Sequence, residues 1–93
     1  MSVRKEDGTH VAQSSVSASH SDLHQLSSSI AMLRWVDAYG DLILNHYQVD
    51  QLVTELESAL AESQAHRDLV TEMQRLCEVT LARPHRYLWF VGD

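Results

Sequence analysis

A chain of 93 residues with a formal charge of −6 has room for one small domain, because short chains hold little interior relative to their surface. One lysine and six arginines make no basic patch of the kind that neutralises nucleic-acid phosphates, so nucleic acid is excluded as a partner. A single cysteine rules out an intramolecular disulfide and suits a reducing compartment, and no apolar run approaches the roughly eighteen residues of a membrane span.

The start, MSVRKEDGTH, has no apolar run behind its basic pair, so it does not read as a signal peptide and a cytoplasmic location is expected. Residues 1–29 hold nine serines, few large apolar side chains and no sustained period. Such a segment buries too little to offset the entropy of ordering it, and it reads as a disordered tail. Leu23 and Leu26 are spaced to form one apolar helical turn that could dock on the domain.

Residues 30–93 read as a small α+β domain. IAMLRWV (30–36) is short, apolar and bounded by serines and by DAYGD, which fits a strand. LIL (42–44) is a candidate second strand, with Asp37, Gly40 and Asp41 in the intervening turn and Gly40 free to take positive φ. The stretch DAYGDLILNHYQ (37–48) gathers polar groups, but it makes a poor calcium loop. Counted from Asp37, its third position is Tyr39 and its twelfth is Gln48, where such a loop needs an oxygen ligand and a glutamate. A turn followed by a helix start explains it better, with Asn45 as N-cap and Gln48 three residues on in the capping-box position.

Val49, Leu52, Val53, Leu56 and Leu60 then follow one helix face, and Leu69, Val70, Met73, Leu76, Cys77 and Leu81 follow another. At about 100° per residue the two stripes point roughly 110° apart. A single straight helix cannot bury both, so the phase predicts two helices joined around Glu62–His66. Pro84 ends the second helix, and RYLWFV (86–91) is a strand of aromatic and branched residues. The expected order is β(β)ααβ: a small antiparallel sheet of two or three strands with two helices on one face. Helix packing without a sheet is the alternative.

Chemistry-bearing residues are few. His20 and His24 have the i, i+4 spacing of a helical metal pair but lack further ligands, so no metal or cofactor is expected. His46, His66 and His85 fall at helix ends or junctions as surface residues, and Cys77 falls on the apolar stripe as a core residue. No serine stands in a glycine-flanked elbow, and no catalytic residue is assigned. Asp50, Glu57 and Glu62 line the outer face of the first helix, in a segment from Leu42 to Ala65 without lysine or arginine. That face is either simply solvated or a docking surface for a basic partner.

Both strands are apolar on both sides. Tyr87, Trp89 and Val91 alternate with Leu88 and Phe90, while Ala31, Leu33 and Trp35 alternate with Ile30, Met32, Arg34 and Val36. Two helices cover only one face of such a sheet, so the second is either covered by the Leu23–Leu26 turn, by a second copy or by another protein, or left as an exposed apolar patch. Trp35, Tyr87 and Trp89 are the interface candidates.

With Tyr39-Gly40-Asp41, Asn45, Gln48, the Leu52/Glu55/Leu56 helix and the terminal YLWFVGD, the chain resembles small bacterial proteins with similar segments over roughly residues 33–93. That resemblance implies a bacterial cytosolic origin and no activity. The expected function is a non-enzymatic interaction module that binds itself or another protein through the aromatic sheet face, with the acidic helix available for a basic partner. An antitoxin- or immunity-like inhibitor is one form of it. The alternative is a small enzyme or ligand-binding protein with a pocket between sheet and helices, using His46, Asp41 or Tyr39.

Protonating all six histidines would bring the charge from −6 to zero, close to the sequence pI of 5.3. Solubility should therefore fall steeply between pH 7 and pH 5, as net charge vanishes. A concentration series of precipitate-free supernatants across that range checks it, and a flat profile would contradict it.

Overall fold

The computed structural model describes residues 1–14, 30–31, 42–62 and 67–90. The chain opens with a β-hairpin, β1 (Ser2–Lys5) and β2 (His10–Gln13). Its turn is built by Asp7 and Gly8. Gly8 N–H donates to Lys5 O at 2.9 Å, Lys5 N–H donates to Thr9 O at 2.9 Å, and Gly8 takes φ of 88°. Asp7 Oδ1 accepts the Thr9 N–H at 2.9 Å, the local bond that makes aspartate a turn former. Where composition pointed to a disordered tail from the first residue, residues 2–13 instead supply two strands. Residues 15–29, with His20, Leu23, His24 and Leu26, lie outside the described residues.

The later elements are β3 (Leu42–Leu44), α1 (His46–Glu62), α2 (Arg67–Leu81) and β4 (Arg86–Phe90). Asn45 starts α1 through a reciprocal capping box. The Gln48 N–H donates to Asn45 Oδ1 at 2.9 Å, and the Asn45 N–H donates to Gln48 Oε1 at 3.0 Å. α1 and α2 are separate helices, as the stripe phases require, and residues 63–66 of the expected junction lie outside the described residues. α2 stops at Leu81, three residues before Pro84, after which His85 takes φ of 62° to turn the chain into β4.

The sheet has four strands in the order β2-β1-β4-β3, every pair antiparallel. The α+β class holds, but with more strands than the two or three expected, the extra pair being the hairpin. Ile30 is fully buried and belongs to the core, and neither Ile30 nor Ala31 is in a strand. The rest of the expected 30–36 strand, including Trp35, and the turn residues Asp37, Gly40 and Asp41 lie outside the described residues.

Register decides which side chains meet the helices. Val3 and Leu44 both pair with Leu88, and paired residues share a sheet face. Val3, Leu44 and Leu88 are wholly buried, and Phe90, two residues on, is 2% exposed. The stripes of both helices close over this row: Val49, Leu52 and Leu56 from α1, and Val70, Met73, Leu76 and Cys77 from α2. Thr80 lies buried within α2 and sends its hydroxyl back to Leu76 O at 2.8 Å. The hairpin is also tied to the helices by Arg75, which pairs with Glu72 and donates from Nη2 to Gln13 O at 2.9 Å. Opposite Val3 the β1–β2 register slips by one residue, a bulge that places Val11 outside the paired ladder.

Asn45→Ala removes the side-chain acceptor at the start of α1 and should cost about 1 kcal/mol. In a domain of this size that lowers Tm by about 4–8 °C, read by circular dichroism. An unchanged Tm would show that the box does not hold the helix start.

Candidate interaction face and corner pocket

Strand alternation sends Tyr87 and Trp89 to the face of β4 away from the helices. Ser2 and Ile43 both pair with Trp89, and Arg4 pairs with Tyr87, so a row of side chains crosses β1, β4 and β3 on that outer face. The Arg4 guanidinium lies over the Trp89 ring, 4.4 Å from its centroid, and its Nε donates to Ser2 Oγ at 3.0 Å. A cation held over an indole at a partly exposed site contributes about 0.5–1 kcal/mol. The chain's own first strand, through Arg4, therefore covers part of this face, where the Leu23–Leu26 turn or a partner is the cover expected from the sequence. Beside it Ile43 is 48% exposed. Lys5, Glu6, Ile43, Tyr87 and Trp89 line a groove of about 190 Å³. Trp89 Nε1 is buried without a hydrogen-bond partner. Such an atom costs about 1–3 kcal/mol relative to a satisfied one.

A second cavity sits at one end of the sheet. Because Leu44 pairs with Leu88 in antiparallel register, the β3–α1 junction and the α2–β4 junction emerge side by side. Asn45, His46 and Tyr47 from the first junction and His85, Arg86 and Tyr87 from the second line an open cleft of about 220 Å³. His85 Nδ1 is 2.8 Å from Glu6 Oε1, and Arg86 Nη1 donates to Val79 O at 2.8 Å. His46 Nε2 is buried and unpartnered. Tyr87 is the shared wall between this pocket and the outer groove.

The expected interface residues divide between separate surfaces. Tyr87 and Trp89 stand together on the outer face, while Trp35 lies outside the described residues. Asp50 and Glu57 are exposed on α1, as are Gln51, Thr54 and Ser58. The apolar stripe of α1 faces the inner side of the sheet, so this acidic surface looks away from Trp89. The fold does not join the two into one patch. The Glu62 side chain is outside the described part. Of the residues named for a pocket, His46 lines one, whereas Tyr39 and Asp41 are not described. His85, expected as a surface residue at a junction, borders the corner pocket, while Arg4, Lys5, Glu6 and Arg86 carry no local signal for a site, the first three because their hairpin has no period of its own. Asn45 and Gln48 act as the cap they were expected to be.

Among the described residues no three His, Cys, Asp or Glu side chains converge as metal ligands, and no helix is long and apolar enough to cross a membrane. No protein-family model, curated protein or solved structure matches the chain.

Cys77 is fully buried among Met73, Leu76 and the sheet, and burial pushes its thiol up to about 12, with neighbouring Glu78 adding to the effect. Against an ordinary value of 9.0, the unfolded chain loses this proton first as pH rises. The folded state then binds more protons, and this group's contribution to stability falls from about pH 9 up to about pH 12. Native protein at pH 8 should resist alkylation by iodoacetamide while urea-unfolded protein reacts fully, by mass spectrometry. Equal rates in both states would place the thiol outside the core.

Proposed function

We propose that this chain is a non-enzymatic interaction module that binds a second copy of itself or another protein through the outer face of its sheet. The observation that carries this reading is the row of Ile43, Trp89 and Tyr87 on adjacent strands, bordered by a groove and opposite the helix-covered face. Aromatic side chains over a partly apolar groove are the common anchors of protein interfaces, since each removes a large area from water at little rotamer cost. Beside the aromatic pair, Ile43 is 48% exposed and offers apolar area that a partner can cover. The acidic side of α1, with exposed Asp50 and Glu57, is a separate surface whose charge suits a basic partner.

Ile43→Glu tests the reading at an exposed position where a charge changes stability little. Multi-angle light scattering on a sizing column should show the native chain associating as concentration rises. The variant should stay monomeric with an unchanged melting curve. A native chain that is monomeric at every concentration, and that captures no partner sensitive to Ile43→Glu, overturns the proposal.

A further inference from the structure

We propose that the corner pocket between the two strand–helix junctions is a binding site for a small oxyanion, a carboxylate or a phosphate group. This does not depend on the interaction reading, although Tyr87 borders both sites. The chain as a whole carries −6, yet none of the six lining residues is acidic, and they include Arg86, His46 and His85. Among the described residues Arg86 has no carboxylate partner. Its Nη1 is anchored to Val79 O at 2.8 Å, which fixes the guanidinium and leaves its remaining N–H groups for a ligand. The nearby carboxylate, Glu6, is engaged by His85 Nδ1 at 2.8 Å, which orients that imidazole and leaves Nε2 free.

Three further features converge on the same place. His46, one of the lining residues, has a buried Nε2 with no hydrogen-bond partner, a polar group left unsatisfied beside the cavity. The pocket includes the first residues of the 17-residue helix α1, whose N-terminal end favours negative charge. His85 holds φ of 62°, a conformation in which glycine is easier, so the fold keeps a strained backbone where an imidazole borders the cavity. Size narrows the ligand. The volume of about 220 Å³ exceeds the roughly 150 Å³ that accepts a benzene ring and falls short of the roughly 300 Å³ where drug-sized sites begin. The site therefore takes an oxyanion group with a short organic portion, flanked by Tyr47 and Tyr87.

The test is a ¹⁵N heteronuclear NMR titration of the full chain with inorganic phosphate and, separately, with propionate, at constant ionic strength. Saturable shifts confined to residues 45–47 and 85–87 are expected with at least one probe. Phosphate alone assigns a phosphate-bearing ligand, propionate alone a carboxylate, and both leave the shared oxyanion chemistry. Arg86→Gln should weaken binding at least tenfold. His85→Gly, which suits the left-handed backbone and so keeps the fold, should weaken it severalfold. Shifts that never saturate, that spread over the surface, or that persist unchanged in both variants overturn the proposal.

Discussion

Leu88 is the side chain on which the architecture depends. It is wholly buried, its strand lies between β1 and β3, and Val3 and Leu44 both pair with it. Both helix stripes rest on the row these three make. The arrangement requires the first strand of the chain to find the last one, with the two helices formed between them. Closing so long a loop costs entropy before any contact returns it. That cost is offset by burying Val3, Leu88 and Phe90 under α2, and by Arg75 holding the hairpin's Gln13 O from the helix side. Residues 1–13 are thus part of the domain's foundation. Removing them would strip one edge of β4 of its hydrogen bonds and leave Leu88 without Val3.

What was legible in the sequence was whatever is decided locally. Asn45 and Gln48 sit three apart because a capping box needs them so, and they form it. The phase jump between the two leucine stripes located the helix break without help from any glycine or proline. The alternation in RYLWF separates Tyr87 and Trp89 from Leu88 and Phe90, and the fold buries the second pair. The hairpin was missed although Asp7-Gly8 is a strong turn signal, because nine serines over residues 1–29 were weighed as one composition. The strands around that turn are only four residues each, with one apolar residue in the first and two in the second, so neither has a period of its own. They are stable through β4, whose pairing with β1 no local pattern reveals. The corner pocket was hidden for the same reason. His46 and His85 are far apart in the chain and meet only through the β3–β4 register.

That register also separates the surfaces. The acidic residues of α1 and the aromatic row of β4 lie on opposite sides of the molecule, since the helix turns its leucines to the sheet and the sheet turns Trp89 away from the helix. A single partner touching both would have to wrap around an edge. For the proposed module, two independent contacts are the simpler geometry, with charge steering one and apolar area the other.

The placement of Arg4 bears on how the aromatic face can be used. In the free chain its guanidinium shields Trp89 and leans on Ser2, which limits the apolar area open to water. The contact is worth about 0.5–1 kcal/mol, whereas burying a large side chain in an interface gains about 1.5–3 kcal/mol. A partner that covers Trp89 and Ile43 can therefore displace Arg4 at a net gain, or keep it in place as a cation–π lid over the ring. In the first case the freed guanidinium favours an acidic group on the partner, near the unpartnered indole N–H. In the second the partner packs against Ile43 and Tyr87 only. Arg4 and Trp89 belong to the strands that Leu88 joins, so the pairing that stabilises the domain also sets how much of Trp89 is exposed.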